Sequence, residues 1–339
     1  MSFAASSTTP SVVSSDAPPD AMSSATGDST FITHAPTVVQ CYALFDKFFP
    51  ACGLLDYTEG IYGGDAAKPY EAAQQDQIRY VLDEVHCERG TRILEVGCGN
   101  GTLLAEAKRR GARAIGITIS PEQVALGRKR WLDVRLLDYK HLGDKYRHRF
   151  DAVVANGPIE HFVQPSEAAR GLQDEIYRRM FTSFHEAIDP TSPIRRFINT
   201  TIHFVRTPKP DDLLRSPFSF ARGTDNWHWA WLARSFGGFY PQFGQFERPS
   251  SGLFEQLKAV DGTDDYRLTS EEWLRRIRKM LPTWRGFKAL VSAVPFALRH
   301  PRQTFDMLTC MLGTESWNWQ FRGTDPPTRL LRQTWAYKS

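Results

Sequence analysis

The sequence predicts an α/β fold with a doubly wound, mostly parallel sheet. Three observations predict it. A glycine-rich turn follows an apolar strand at residues 93–101, short β-branched runs alternate with helical patterns up to residue 204, and polar residues stand where the predicted strands end. Alternating strands and helices are typical of parallel sheets, whose ligands bind at the carboxyl ends of the strands. We therefore expect a Rossmann-like core that binds a small ligand.

The first predicted strand ends in the pattern E-x-G-x-G-x-G, formed by Glu95, Gly97, Gly99 and Gly101. Glycines let the backbone turn tightly and approach a ligand, and the helix predicted at 103–110 offers free N–H groups to an anion. A dinucleotide fingerprint has another glycine spacing and its acidic residue about twenty positions later. The turn favours a smaller nucleoside that carries a carboxylate, such as S-adenosylmethionine; the structural alternative is a tight turn without a ligand.

The remaining elements of the core follow in order. Strands are predicted at 112–119, 132–137, 150–155 and 196–204, and helices at 121–130 and 167–188. Ser120 is the expected N-cap of the helix at 121–130, with Pro121 in its first turn. Four polar residues fall at predicted strand ends: Glu95, Thr118, Asp138 and Asn156.

The rest of the chain divides by composition. Residues 1–35 are rich in Ser, Thr, Ala and Pro, and the first thirty contain no Lys or Arg, which favours a disordered tail over a secretory or organellar signal. Residues 36–88 are predicted to form an N-terminal helical cap before the core at 89–204. Residues 205–300 are expected to be a helical lid over the substrate, and 301–339 strands that complete the core.

Composition excludes several classes of function. The net charge of +4, from 42 basic and 38 acidic residues, is too small to indicate a nucleic-acid partner. No apolar run is long enough to span a bilayer. The five scattered cysteines lack metal-ligand spacing and favour free thiols in a reducing compartment. We therefore expect a cytoplasmic protein without a metal site, and the sequence predicts no oligomeric state.

Beyond the glycine turn, several segments resemble the cyclopropane fatty acid synthases and mycolic acid methyltransferases, which are class I S-adenosylmethionine enzymes. Residues 116–123 (GITISPEQ) are close to the family's G-[VL]-T-[IL]-S-x-x-Q, and residues 150–162 are similar to its F-D-x-I-V-S-x-G-x-F-E-H-[VF]. Tyr57-Thr58 looks like its Y-S pair, and residues 265–273 look like its tyrosine segment. The resemblance covers roughly residues 40–339 and is strongest at 90–165, and it implies that the mostly parallel sheet has seven strands.

The resemblance and the glycine turn together imply a set of S-adenosylmethionine-binding residues: Tyr57, Thr58, Glu95, Gly97, Gly99, Gly101, Thr118, Ile119, Gln123, Asp138 and Tyr139. The turn and Thr58 suit the methionine end of the cofactor, and Thr118 and Gln123 suit its ribose. Asp138 either accepts a hydrogen bond from the adenine amino group or caps a helix.

The expected catalytic residues are Glu160, Glu59, Tyr266 and His161. In the resembled family a bicarbonate ion acts as the base; Glu160 and Tyr266 match two of its holding positions, but Glu59 replaces a cysteine and Thr200 a histidine, with His203 nearby. A carboxylate at position 59 would repel bicarbonate, which puts that cofactor in doubt. Our hypothesis is that Glu59 and Glu160 together replace it. The alternatives are a solvated loop carboxylate for Glu59 and a structural salt bridge for Glu160.

Two further patterns bear on the substrate and partners. The predicted lid is aromatic, with Trp227, Trp229, Trp231, Phe236, Phe239, Tyr240, Phe243 and Phe246 in a short span. These rings suit an apolar pocket or ordinary core packing. Residues 273–305 carry basic but no acidic side chains among apolar ones, which suits either peripheral contact with an anionic membrane or head group, or a solvated helix face.

These patterns together predict a methyltransferase that acts on the double bond of an unsaturated lipid or isoprenoid-like substrate, giving a methyl branch or a cyclopropane ring. One alternative is an N- or O-methyltransferase of a small apolar metabolite, which relies on proximity and orientation. The other is a non-catalytic S-adenosylmethionine-binding protein.

Overall fold

The computed structural model describes residues 36–54 and 56–339, and the expectation of a disordered tail at 1–35 lies outside them. One seven-stranded sheet has the order β3-β2-β1-β4-β5-β7-β6. Its strands are β1 (Arg92–Val96), β2 (Arg113–Thr118), β3 (Asp133–Leu136), β4 (Ala152–Asn156), β5 (Arg196–Phe204), β6 (Phe254–Asp261) and β7 (Thr328–Tyr337). Strands β1 to β5 are parallel, and β7 runs antiparallel to both of its neighbours. The predicted fold class is confirmed.

Helices cover both faces of the sheet. Those before and within the parallel part are α1 (Pro36–Cys52), α2 (Tyr70–Glu84), α3 (Thr102–Arg109), α4 (Pro121–Lys129), α5 (Leu142–Tyr146), α6 (Pro165–Ala169) and α7 (Gln173–Ala187). The later ones are α8 (Pro210–Leu214), α9 (Asp225–Phe236), α10 (Glu247–Ser250), α11 (Thr263–Met280), α12 (Trp284–Arg299), α13 (Pro301–Leu308) and α14 (Ser316–Trp319).

The central strands are apolar because both of their faces are covered. Every residue of β4 is buried. On one face, the rings of Phe181 and Phe184 from α7 pack against Phe197 of β5. On the other face, Val81 and Leu82 of α2 join an apolar cluster that includes strand residues of the sheet. This burial holds the strand ends, and the polar residues on them, in fixed positions.

One predicted helix is divided in two. The pattern at 167–188 predicts a continuous helix, but α6 ends at Ala169 and α7 begins at Gln173. Gly171 lies between them with φ +74°, a left-handed conformation that a continuous right-handed helix excludes. The expected N-cap at the start of α4 is present, where the Ser120 hydroxyl accepts from the backbone N–H of Gln123.

The segment expected to be a helical lid also contains a strand, and the segment expected to be strands also contains helices. Strand β6 lies within 205–300 and pairs with β7, whereas α13 and α14 lie within 301–339. Strand β6 escapes a pattern search because it is a mostly exposed edge strand and shows no regular alternation of buried and exposed residues. None of the helices in the described ranges is both long enough and apolar enough to cross a bilayer.

Candidate active site

A cavity of about 410 Å³ opens at the carboxyl ends of β1, β2 and β4. It brings together most of the residues predicted for the site: Tyr57, Thr58, Glu95, Gly97, Gly99, Thr118, Ile119, Gln123, Asp138, Tyr139, Glu160, His161 and Tyr266. Val38, Val39 and Tyr42 of α1 form a further part of its wall. Gly101 and Glu59 do not line this cavity.

The glycine turn has the backbone shape that its sequence predicts. Gly97 and Gly99 adopt φ of +69° and +48°. A Cβ atom at Gly97 would lie 2.5 Å from Cβ of Pro158, another residue of the cavity wall. Gly101 begins α3 at φ +71°, and a Cβ there would lie 2.7 Å from Leu132. Gly101 was predicted to bind the cofactor, but the structure gives it a role in the turn and in packing instead.

Four buried polar atoms of wall residues have no hydrogen-bond partner among the described residues: a carboxyl oxygen of Glu95, the hydroxyl oxygens of Thr58 and Tyr139, and Nδ1 of His161. Burial raises the pKa of Glu95 well above its ordinary value, and the nearby Asp56 carboxylate raises it further. Burial also raises the pKa of Asp56 to about 6. This end of the cavity is therefore suited to a ligand that supplies a positive charge and hydrogen-bond donors.

The other end offers hydrogen-bonding groups and aromatic faces. The Thr118 hydroxyl donates to Oε1 of Gln123 at 2.6 Å, which fixes both side chains in the wall. Asp138 accepts from the backbone N–H of Lys140 at 3.1 Å, and so caps a short 3₁₀ turn while also lining the cavity. The rings of Tyr139 and Phe162 stack with centroids 4.0 Å apart.

Glu160 is a buried carboxyl group with a single hydrogen bond from the backbone. Its Oε1 accepts from the N–H of Ile202 at 2.9 Å. Among the described residues Glu160 forms no salt bridge, so the alternative of a structural salt bridge is wrong. Burial raises the pKa of Glu160 to about 8; the Ile202 hydrogen bond opposes this rise, and the charge of Glu59 adds to it. Such a group accepts a proton readily once it is ionised.

Tyr266 and His161 flank Glu160 in the wall. The Tyr266 hydroxyl lies 3.4 Å from the carbonyl oxygen of Tyr57. His161 Nε2 lies 2.9 Å from the Tyr42 hydroxyl. Burial lowers the pKa of His161 to about 4, so this ring is neutral at physiological pH and is a weak base.

Glu59 has a different environment from either one expected. Its side chain is 1% exposed and accepts from Nε of Arg332 at 2.8 Å. The other end of the guanidinium donates to Asp265 at 2.9 Å. Glu59 is therefore not a solvated loop carboxylate, and its ion pair holds the loop that carries Tyr57 and Thr58; its catalytic role stays a prediction.

Neither Thr200, which stands where the resembled family has a histidine, nor the residues near it place a histidine side chain in the cavity. The Thr200 hydroxyl donates to Asn156 on the neighbouring strand at 2.7 Å. His203 Nδ1 lies 3.0 Å from the carbonyl of Thr201, and its ring packs against Phe246. The Ile202 N–H is already bonded to Glu160. These residues do not fit a bicarbonate ion, because the donors are engaged and the nearest acid is a carboxyl group.

The aromatic residues of the predicted lid serve packing. All are buried except Phe243, and none lines the cavity. Phe236 packs on Phe45 of α1 with centroids 5.7 Å apart, and Trp229 packs edge-on against Phe204 at 5.0 Å. These rings pack against elements such as α1 and β5 and do not enter the cavity, so their contribution to the site is indirect.

Sequence reasoning missed several residues of the wall, notably Asp56, Phe162 and Trp317. Asp56 precedes the Tyr57-Thr58 pair, and its acidic side chain beside a predicted cofactor segment was the available signal. Trp317 follows α13 and comes from a segment expected to be strands, so no local pattern marks it.

The mycolic acid cyclopropane synthetase family is matched over residues 32–209. A probable fatty acid methyltransferase of Mycobacterium tuberculosis is 36% identical over 115 residues, covering 32% of this chain and 26% of that protein. Cyclopropane-fatty-acyl-phospholipid synthase of Escherichia coli is 35% identical over 96 residues, covering 27% of this chain and 24% of that protein. The chain thus spans about a quarter of the length of these relatives.

Among solved structures, mycolic acid cyclopropane synthase CmaA1 complexed with SAH and CTAB has a TM-score of 0.66 at 17% identity, covering 91% of this chain and 100% of that one. This likeness shows the fold. The matched residues 32–209 include α1, the glycine turn and the Glu160 segment, which together form most of the cavity wall. The chain belongs to the mycolic acid cyclopropane synthetase family.

Proposed function

We propose that this protein is an S-adenosylmethionine-dependent methyltransferase that adds a methyl group to a carbon–carbon double bond of an unsaturated lipid or isoprenoid-like substrate. The observation that carries the proposal is Glu160, a buried carboxyl group that has no cationic partner among the described residues and lies in the same cavity as the glycine turn. A carboxyl group in this setting suits a reaction that generates a positive charge and then releases a proton.

The family uses S-adenosylmethionine, and this cavity fits it. The unpartnered carboxyl oxygen of Glu95 and the Asp56 carboxyl can receive the ammonium group, and the Thr58 hydroxyl can pair with the methionine carboxylate. Thr118 and Gln123 line the same cavity, and their side chains suit the ribose hydroxyls. Asp138 and the Tyr139 ring suit adenine. When bound, the cofactor supplies a sulfonium methyl group, which passes to an electron pair of the substrate and leaves a neutral thioether.

The chain's own residues then act on the substrate. Attack by the alkene forms the new carbon–carbon bond and leaves a carbocation on the adjacent carbon. The ionised Glu160 stabilises that charge and accepts the proton whose loss gives a ring or a new double bond. The rings of Tyr42 and Tyr266, also in the wall, present apolar and π surface that excludes water from the cation.

Glu160 would serve as the base for methylation at carbon and for the alternative at nitrogen or oxygen. His161 also flanks Glu160, but its pKa of about 4 makes it a poor acceptor for a substrate proton. A heteroatom reaction would therefore also depend on Glu160. The relatives named as fatty acid methyltransferase and phospholipid synthase support the lipid substrate.

We infer a cytoplasmic location from the thiols. All five cysteines are free, and four of them are buried among apolar side chains. Thiols in this state are typical of a reducing compartment.

Labelled methyl transfer tests the proposal. The full chain is incubated with lipid extract and cofactor bearing a CD₃ group, and the lipids are analysed by mass spectrometry. A cyclopropane product retains two deuterium atoms of the methyl group, and a methyl branch retains three. Label on nitrogen or oxygen of a small metabolite would establish the heteroatom alternative. Binding of S-adenosylhomocysteine without transfer to any acceptor would establish the non-catalytic one.

A further inference from the structure

Helix α12 presents large apolar side chains to solvent. Trp284, Phe287, Val291, Val294 and Leu298 recur at helical spacing along one face, which we call the outer face of α12. Trp284 is 67% exposed and Leu298 is 78% exposed. A contiguous exposed patch of this kind marks a contact surface.

The opposite face of the same helix is buried and made of smaller residues. Gly286, Ala289, Ala293 and Phe296 point inward, and Ala293 and Phe296 belong to the core cluster that includes residues of α1. A Cβ at Gly286 would lie 2.3 Å from the carbonyl oxygen of Met280, so this helix sits tightly against the protein. The larger apolar side chains are thus left outside by the packing itself.

Positive charge lies beside the outer face. Arg275, Arg276 and Arg278 of the basic segment are neutralised by Glu272, Glu71 and Glu315. By contrast, Arg285, Lys288 and Arg299 form no ion pair with any acidic side chain in the described part of the chain. The Lys288 ammonium lies 5.4 Å from the centroid of the Trp284 ring, which itself stacks on Phe287. The cations therefore flank the apolar stripe on the same helix.

This combination identifies the occupant by its chemistry. A tryptophan, aliphatic side chains and free cations on one helix match the boundary of an anionic bilayer, where apolar groups enter the acyl region and cations meet phosphates. We propose that the outer face of α12 docks this protein onto the surface of an anionic phospholipid bilayer. The assignment of that bilayer as the source of substrate rests on the proposed function, and the docking itself does not.

The position of α12 connects docking to the cavity. Helix α12 packs against α1, whose residues Val38, Val39 and Tyr42 line the cavity. A single helix therefore separates the docked surface from the site.

Vesicle sedimentation tests the proposal with the full chain. The protein is mixed with phosphatidylcholine vesicles or with vesicles rich in phosphatidylglycerol, at low and high salt. We expect sedimentation with the anionic vesicles and weakening by salt. The W284S/L298S variant should bind at least about tenfold more weakly because it loses apolar burial. The R285E/K288E variant should lose about fivefold for each cation removed.

Matched controls separate docking from general surface effects. Trp131 is 86% exposed just before the edge strand β3, so W131S removes the same type of side chain from a surface outside α12. Arg149 is exposed just before β4, so R149E is the control for charge. Both should sediment as the wild type does, and all variants should keep the affinity of the wild type for S-adenosylhomocysteine.

Three results would overturn the docking proposal: wild-type protein that stays in the supernatant with anionic vesicles, W284S/L298S that sediments fully, or a concentration-dependent dimer that the same variant dissociates without any binding to vesicles. Failure of the proposed function looks different. In that case the wild type sediments normally but transfers no label to lipid, even to substrate dispersed in detergent.

Discussion

The carboxylate of Glu59 and the guanidinium of Arg332 form a buried ion pair, with Arg332 Nε 2.8 Å from Glu59 Oε1. The pair ties the loop after α1 to β7, the last strand of the sheet, and Asp265 of α11 completes it. Because both side chains are buried away from water, each charge is stabilised mainly by the opposite charge of its partner. The loop that carries Tyr57 and Thr58 is thus held by Arg332, which lies 273 positions after Glu59 in the chain.

This pair leads to a prediction on stability. R332Q leaves Glu59 buried without its cation and should lower the free energy of unfolding by about 3 kcal/mol or more. The double variant E59Q/R332Q should recover much of the loss, since a neutral pair replaces an unpaired charge. Urea unfolding of the singles and the double measures the coupling. The double variant should retain methyl transfer; a folded double variant without any transfer would return Glu59 to the chemistry.

A second prediction concerns the pH dependence of activity. The pKa of Glu160 is about 8, so the carboxyl is mostly protonated at pH 7 and its base form increases as pH rises. Methyl transfer should therefore rise through pH 8, and E160Q should abolish it while leaving affinity for S-adenosylhomocysteine within about threefold. An E160Q enzyme with the wild-type rate and pH profile would exclude this base.

The same residue leads to a third prediction, on stability. An unfolded chain releases the Glu160 proton near pH 4.5 and the folded one near pH 8, so burial of the carboxyl costs more stability as pH rises through this range. E160Q should raise the melting temperature by at least about 3 °C at pH 8.5 and leave it unchanged at pH 4. E255Q, on the exposed edge strand β6, should change neither value. Equal shifts at both pH values would contradict the assigned titration.

A fourth prediction concerns the glycine turn. G97A places a methyl group 2.5 Å from Pro158 in the cavity wall, in addition to the cost of a positive φ. Affinity for S-adenosylhomocysteine should fall at least about tenfold, as measured by calorimetry. Gly90 also has a positive φ, of +88°, but its Cβ would meet no atom within 4 Å. G90A should therefore lose about 1 kcal/mol of stability with unchanged affinity; equal loss of affinity in both variants would contradict a specific role for Gly97.

A fifth prediction separates the two roles of Asp138. Serine caps helices about as well as aspartate but does not reach as far into the cavity. D138S should keep the wild-type melting temperature and bind S-adenosylhomocysteine about tenfold more weakly, whereas D138A should also lose about 1 kcal/mol of stability. If D138S retains full affinity, the carboxyl group serves the cap alone.

Local patterns predicted the parallel core well because its central strands are apolar on both faces and the start of α4 carries its own cap. Strand β5 occupies residues 196–204, as expected from its sequence, and the Ser120 cap begins α4. The glycine turn and the segment at 116–123 likewise place their side chains on the cavity, since strand ends are fixed by the sheet.

The sequence predicted less where distant segments decide the structure. Strand β6 has exposed polar side chains and exists because β7 pairs with it. Glu59 was expected to be catalytic, with a solvated loop carboxylate as the alternative, and neither expectation included an ion pair because Arg332 belongs to a strand that no nearby pattern connects to Glu59. The break between α6 and α7 depends on one glycine, which helices tolerate in other contexts.

The sheet order has a consequence for how the chain is made. Strand β7 lies between β5 and β6 although it follows both in the sequence. During synthesis, β6 emerges before the strand that gives it all of its ladder hydrogen bonds, and the loop that carries Tyr57 and Thr58 emerges long before Arg332. The nascent chain can form the parallel strands β1 to β5 early. The pairing of β6 and the Glu59–Arg332 ion pair can form only after β7 has emerged. Emergence of β7 from the ribosome, not emergence of the glycine turn, is then the step after which a binding-competent fold can first form.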